Sequence, residues 1–295
     1  MTPKLQKTIQ NSVSISGVGI HTGVFTNMTL VPAEANTGIR FIRTDLEENP
    51  VIKADIDSVF STDRSTGLKK ENAEINTVEH ILAAVSGNNI DNLIIEIDNE
   101  EIPILDGSAR EFSEKISEVG LVEQNSYKKI YKINKEIRYF DEETGSEIIA
   151  IPSDNFQLDV TIDYNSETLG VQNSTLNNIE NFGKEIASSR TFCFLHELEE
   201  LLENNLIKGG NINNAIVIVE NEINNSNLSI LAKQFGKDTI KVSEEGILDN
   251  LELRHKNEAS RHKLLDVIGD LSLVGFTIKG KIIATKPGHA HNTNF

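Results

Sequence analysis

Arg261-His262-Lys263-Leu264-Leu265-Asp266-Val267-Ile268-Gly269-Asp270 lies inside a stretch, roughly Glu258 to Gly275, whose pattern predicts one helix. His262, Asp266 and Asp270 recur every four residues, so on that helix they form a single polar ridge. The positions around them are apolar on nearly every side: Leu264, Leu265, Val267, Ile268, Leu271, Leu273 and Val274. A helix that is apolar all round is normally buried. Buried carboxylates are costly unless something compensates them, and a metal ion is one of the few groups that can. The ridge therefore predicts a metal site whose remaining ligands lie elsewhere in the chain.

A second stretch has the same plan. Asn76-Thr77-Val78-Glu79-His80-Ile81-Leu82-Ala83-Ala84-Val85 reads as an apolar helix closed by Gly87 and followed by a strand, Leu93-Ile94-Ile95-Glu96-Ile97. The long helix is followed in the same way by a strand at 276 to 285. Two similar α+β units packed face to face would bring His80 to the His262/Asp266 ridge. Taken by itself, each residue has a plainer reading. Asn76 and Glu79 fit a capping box, and a lone His beside an apolar run is more often a satisfied core residue than a ligand.

Composition narrows the function classes. The chain has 295 residues, long enough for one large domain or two ordinary ones. Its formal net charge of −17 argues against nucleic acid or an anionic membrane as partner. A phosphorylated small molecule is still allowed, because it needs only a few local cations or helix N-termini. Cys193 is the only cysteine, so there is no disulfide framework. Apolar runs such as Ala215 to Val219 fall far short of the ~20 residues of a membrane span, and the N-terminus lacks the apolar core of a secretion signal. These features predict a soluble, cytoplasmic protein.

The fold class expected is α+β, with two similar domains, each a sheet packed with helices, forming a sandwich around the active site. The first spans residues 1–124 and carries Glu79 and His80. The second spans 125–295 and carries His262, Asp266 and His289. Residues 121 to 130 read as a polar linker, 173 to 181 as an Asn-rich surface loop, and 129 to 138, 147 to 152 and 156 to 164 as strands. Between about 192 and 220, an aromatic pair, a helix at 195 to 204, the turn Lys208-Gly209-Gly210 and the strand Ala215 to Val219 make a βαβ-like insertion. Gly17, Gly19 and Gly23 set His21 at the tip of a turn, either simply exposed or lining a site. Asp106 in Pro103-Ile104-Leu105-Asp106-Gly107 reads as a turn former.

Two histidines and one carboxylate, with a position left for water, is the pattern of a catalytic zinc rather than a structural one. Glu79, next to His80, is placed to act as the base that deprotonates water at such an ion. Asp270 lies one turn beyond Asp266, too far along for the same ion, and is better placed to orient His289. His289 held in this way could stabilise an oxyanion or protonate a leaving amine.

Six stretches in order carry a resemblance: Thr77-Val78-Glu79-His80; Glu101-Ile102-Pro103-Ile104-Leu105-Asp106-Gly107-Ser108; Ser189-Arg190-Thr191-Phe192; Lys208-Gly209-Gly210; Arg261 to Asp270; and Gly288-His289-Ala290. Together they resemble the UDP-3-O-acyl-N-acetylglucosamine deacetylase family of lipid A and lipopolysaccharide biosynthesis, and the similarity runs from about Gln6 to Asn292. The resemblance implies one catalytic Zn²⁺ on His80, His262 and Asp266, with Glu79 as general base. It implies His289 as cationic oxyanion stabiliser and acid, positioned by Asp270, and a hydroxyl contact from Thr191 to the oxyanion. Lys263 would meet the sugar-diphosphate end of the substrate, Phe192 and Gly210 would border the sugar, and the 192–220 insertion would form the passage for the acyl chain. The expected reaction releases acetate and a free amine from the acylated UDP-N-acetylglucosamine, with no nucleic-acid partner and no stable membrane insertion.

The chain departs from the family in three places. Ser61-Thr62-Asp63-Arg64-Ser65-Thr66 matches loosely and is given no role, and His291 has no reading. The chain stops at Phe295, soon after the last motif. With Glu-Ala-Ser-Arg-His-Lys-Leu-Leu-Asp-Val at 258–267, this resembles the branch in which the deacetylase is fused to a C-terminal 3-hydroxyacyl-ACP dehydratase. The alternatives are the same chemistry on another N-acylated sugar nucleotide, or a binding module that kept the fold without catalysis. An intact Glu79 beside intact ligands speaks against the last.

Overall fold

The structure, a computed structural model, describes residues 4–197, 209, 210, 212, 214–221, 225–234, 236–248 and 251–295. Its frame is two five-stranded sheets with one plan. In the first, the strands lie in the order Val13–Val18, Phe25–Pro32, Leu93–Ile97, Ile39–Arg43, Val51–Lys53. In the second, the order is Ile137–Phe140, Glu147–Ile151, Lys281–Thr285, Gln157–Ile162, Gln172–Leu176. Each central strand is the last of its sheet in sequence, and it runs antiparallel to one neighbour and parallel to the other. Each is reached through a helix, Glu79–Gly87 in the first half and Glu258–Leu271 in the second. The expected duplication is therefore visible as identical topology.

Alternation explains which face is covered. Leu93–Ile97 buries every second residue, as do Gln157–Ile162 and Lys281–Thr285. A strand's side chains point to opposite faces in turn, so each sheet has one face for the core. The two helices lie in that core and pack on each other. Ile81, Leu82 and Val85 from one, with Leu264, Leu265 and Ile268 from the other, join Leu30, Phe41, Ile95, Leu158 and Val160 in one continuous hydrophobic cluster. Both helices are thus apolar on nearly every side because each faces a sheet and the other helix. The few polar groups they carry are trapped between them.

The structure corrects several sequence readings. The polar segment expected as a linker is the strand Leu121–Tyr127, antiparallel to Leu5–Ile9, and residues 124 and 125 lie within it. Its polar side chains signal exposure, not absence of structure. The Asn-rich stretch contains the edge strand Gln172–Leu176, whose Ser174 and Leu176 are buried, followed by a 3-10 turn at Ile179–Asn181. The long helix ends in a 3-10 turn at Ser272–Val274. The strand expected at 276 to 285 is broken at Gly280, where a Cβ would lie 2.5 Å from Ile133 Cγ1. Residues 59–75 form a small three-stranded sheet that brings the 61–66 loop to the start of the Glu79 helix.

In the insertion, Phe192–Phe194 and Ile216–Ile218 pair in parallel, as a βαβ unit requires. The helix expected at 195 to 204 falls, from residue 198 on, outside the described residues, as does Lys208. Leu195, Ile212, Val217, Val219, Leu231, Ala232, Ile240 and Leu248 form a second, smaller core beneath this unit. Among the described residues, no helix is long and apolar enough to cross a membrane.

Candidate metal centre

His262 and Asp266 stand one helical turn apart, with His262 Nε2 3.4 Å from Asp266 Oδ1. His80, the second residue of the facing helix, brings its Nε2 to 3.9 Å from the same oxygen. One ligand atom from each of the three residues can be chosen so that all lie within 4.8 Å of one another. The three side chains are buried. His262 Nδ1 lies 3.1 Å from the Ser189 carbonyl, which accepts the Nδ1–H hydrogen bond and so leaves Nε2 as the bare nitrogen. Asp266 Oδ1 is buried and, among the described residues, has no hydrogen-bond donor. Such an orphaned carboxylate oxygen between two imidazoles is what a cation would complete.

Electrostatics gives each group its form. Burial, reinforced by His262, pushes His80 down to about 3, so its imidazole is neutral. Burial likewise lowers His262. Burial opposes the charge on Asp266, but the basic side chains around it, His262, Lys263, His289 and His80, of which Lys263 and His289 are cationic, hold its carboxyl well below the usual range. Two neutral imidazoles and one carboxylate fit a divalent ion with borderline N/O preference.

Glu79 precedes His80 and is buried, but it is not a helix cap. The helix N-cap is Val78, with no side-chain cap bond, and Glu79 Oε2 instead accepts the Thr66 N–H at 3.0 Å. Burial raises its carboxyl to about 7, with Asp266 and Asp270 adding to the effect and His289 opposing it. The turn before it is strained. Thr77, β-branched, has φ 61, a conformation that costs roughly 1–3 kcal/mol. The buried Glu101 carboxylate holds Thr77 there, accepting its hydroxyl at 3.1 Å along with the His21 and Thr22 N–H groups.

On the opposite side, His289 Nδ1 lies 2.9 Å from Asp270 Oδ2, and His289 Nε2 lies 4.0 Å from Asp266 Oδ2. Burial works against a charge on His289, but Asp270 above all, with Glu79 and Asp266, raises the imidazole to about 9. A carboxyl that titrates near neutrality and a cationic imidazole thus flank the same three candidate ligands. Asn292 Nδ2 adds a second donor to Asp270 Oδ2, and the Thr66 hydroxyl donates to Oδ1 at 2.6 Å.

The residues expected on the substrate side are placed less uniformly. Lys263 Nζ donates to Asp266 Oδ2 at 2.8 Å and lies 5.9 Å from the Phe192 ring centroid. Although burial opposes its charge, Asp266 and Tyr164 raise its pKa. Phe192 stands edge-on to Tyr164 and Phe194 and 6.5 Å from the His262 ring, giving the site an aromatic wall. Thr191 is fixed through its backbone, its N–H on the Gly107 carbonyl and its carbonyl receiving the Ile216 N–H. Gly210 donates its N–H to Ile20, which seats that turn against the His21 turn.

Other sequence candidates have structural roles. Asp106 pairs with Arg254 and Arg110 and accepts from Ser108. His291 faces away from the ligands, towards Tyr139 and Thr144. Thr66, Asn292 and the buried pair Arg190–Glu258 were not legible beforehand. Nothing in the pattern around Thr66 distinguishes it from a loop residue; only the fold brings it there.

The chain matches the family described as LpxC, UDP-3-O-acyl N-acetylglycosamine deacetylase, over residues 6–235 and 229–295. It is 45% identical over 98% of its length to the bifunctional enzyme LpxC/FabZ of Bacteroides thetaiotaomicron, and 41% identical to that of Chlorobaculum tepidum. In both cases the matched region is 63% of the relative's length. It is 39% identical to the UDP-3-O-acyl-N-acetylglucosamine deacetylase of Chlamydia pneumoniae, over 100% of this chain and 96% of that protein.

Proposed function

The chain belongs to the UDP-3-O-acyl-N-acetylglucosamine deacetylase family, and from that premise we propose that it hydrolyses the N-acetyl group of UDP-3-O-(3-hydroxyacyl)-N-acetylglucosamine in the cytoplasm. The observation that carries this reading is the orphaned Asp266 Oδ1 between two neutral imidazoles, with Glu79 and the Asp270–His289 pair alongside. His80, His262 and Asp266 would hold the ion, and their donor set favours Zn²⁺. A bound divalent cation supplies Lewis acidity, lowering the pKa of water towards ~7 and polarising the amide carbonyl.

The chain's own groups do the rest. Glu79, as carboxylate, takes the proton of the attacking water as oxygen bonds to the acetyl carbon. The tetrahedral oxyanion that results accepts hydrogen bonds from the Thr191 hydroxyl and the His289 imidazolium, and loss of one such donor typically costs ~10²–10³ in rate. His289 then passes its proton from Nε2 to the sugar nitrogen as the C–N bond breaks, releasing acetate and the amine. Asp270 keeps Nδ1 of His289 engaged, so that Nε2 is the nitrogen that faces the reaction.

Lys263 meets the diphosphate end from the place where it also neutralises Asp266, and Phe192 and Gly210 border the sugar. The 192–220 insertion forms the acyl passage. The halves 1–124 and 125–295 each contribute one helix to the site. A C-terminal 3-hydroxyacyl-ACP dehydratase domain is the partner that likeness to the bifunctional relatives supports. The test is acetate release from the acylated UDP-sugar by metal-loaded protein, before and after chelation. Release that survives complete metal removal, or no release from the loaded protein, overturns the reading.

A further inference from the structure

We propose that Thr66 is a positioning residue that ties the base and acid halves of the site together, an inference that rests on the reaction assigned above. Thr66 is fully buried, just before the strand Gly67–Lys70, in the loop whose sequence carried no assignment. Its backbone clamps the start of the Glu79 helix on both sides. The carbonyl accepts the Val78 N–H at 3.2 Å, and the N–H donates to Glu79 Oε2 at 3.0 Å. Its hydroxyl turns the other way, donating to Asp270 Oδ1 at 2.6 Å and standing 3.2 Å from His289 Nδ1.

Proton bookkeeping gives this arrangement a direction. A hydroxyl has one proton, and an ionised carboxylate can only accept. The Thr66 proton therefore goes to Asp270, and a lone pair faces His289. Nδ1 of His289 must then carry a proton, shared between Asp270 Oδ2 at 2.9 Å and the Thr66 oxygen. Nε2 is left to face Asp266 and the reacting atoms. Thr66 also completes the grip on Asp270, whose Oδ2 already receives Asn292 and His289. Among the described residues, no other residue hydrogen-bonds to the side chains of both Glu79 and Asp270. Thr66 thus keeps in register two groups that stand on different helices in different halves of the molecule.

The experiment compares metal-loaded wild type with T66V, which keeps the N–H and the shape but removes the hydroxyl, and T66S, which keeps the hydroxyl. Bound metal, kcat, KM and the His289 Nδ1–H NMR resonance, assigned by its absence in H289Q, are measured on each. T66V is expected to keep its metal and its KM, lose about 10–100-fold in kcat, and shift or lose the resonance. T66S is expected to restore kcat and resonance together. Wild-type kcat and resonance in T66V, or equal losses in T66V and T66S, overturn the proposal and leave Thr66 a packing residue. If T66V does not fold, T66A carries the same comparison. If wild type releases no acetate, the reaction assignment fails while the resonance still decides the role of Thr66.

Discussion

Gly269 lies directly against the main chain of Glu79: a Cβ built on it would fall 2.2 Å from the Glu79 carbonyl oxygen and 2.8 Å from the carbonyl carbon. The backbone of Glu79, the proposed base, and that of the helix carrying His262 and Asp266 are thus in contact, with no side chain between them. This contact sets how closely His80 approaches Asp266.

Alanine at 269 meets main chain, which cannot rotate away, so the two helices must separate. Overpacking of this kind costs about 1–3 kcal/mol. G269A is expected to melt at lower temperature and to hold its metal more weakly, the two losses appearing together. A thermal melt and a competition titration with a chelating dye measure both. Wild-type values in both would show that the close approach is not what sets the site.

Each of the three ligands is expected to be needed for retention of the ion. H262A leaves Asp266 with one imidazole fewer, and H80A removes the contribution of the other half. Both variants should lose bound metal after dialysis while wild type keeps about one ion per chain. Elemental analysis of the dialysed proteins decides, and retention by either variant would remove that residue from the ligand set.

How much of this was legible beforehand follows the physics of each group. The ridge His262–Asp266–Asp270 could be read because a carboxylate at helical spacing among apolar residues is expensive and demands a partner. His80 could be matched to it because both helices repeat one pattern. Local spacing misled at Glu79, whose capping-box position is overridden by a hydrogen bond from a distant loop, and at Leu121–Tyr127, where exposure resembles a linker. Thr66 and Asn292 were invisible because their partners are 204 and 22 residues away, and no short-range pattern encodes such pairings. The Lys263 contact with Asp266 was missed because a lysine beside a ridge reads as a solvated charge.

Arg190 and Glu258 predict a large stability effect from groups that are given no part in the reaction. Glu258 is fully buried and accepts from Arg190 N, Nε and Nη2 and from the Arg254 backbone. This joins the segment carrying Thr191 to the first turn of the metal-ligand helix. R190A leaves a buried carboxylate without its counter-charge and is expected to cost about 3–5 kcal/mol. R190K should recover only part of this, because an ammonium lacks the planar fork that engages both oxygens. Urea denaturation of the three proteins tests the order, and an R190K as stable as wild type would refute the fork argument.

The sharpest prediction is the pH profile of kcat/KM, where each limb belongs to a named group. Glu79 works as a base only when ionised, so activity should rise with pH through its pKa, about 7 from burial; the bound cation favours the carboxylate and moves this limb lower. His289 works as an acid only when protonated, so activity should fall with pH through about 9. The result is a bell. E79Q is expected to keep its metal but lose most acetate release, since its amide cannot take the proton. D270N is the discriminating variant. Burial alone would lower His289, and it is chiefly the Asp270 charge that raises it. The amide keeps the shape but not the charge, so the falling limb should move to lower pH by more than the rising limb, to which Asp270 is only a lesser contributor. A D270N profile with its upper limb unmoved would assign that limb to another group and remove His289 as the acid.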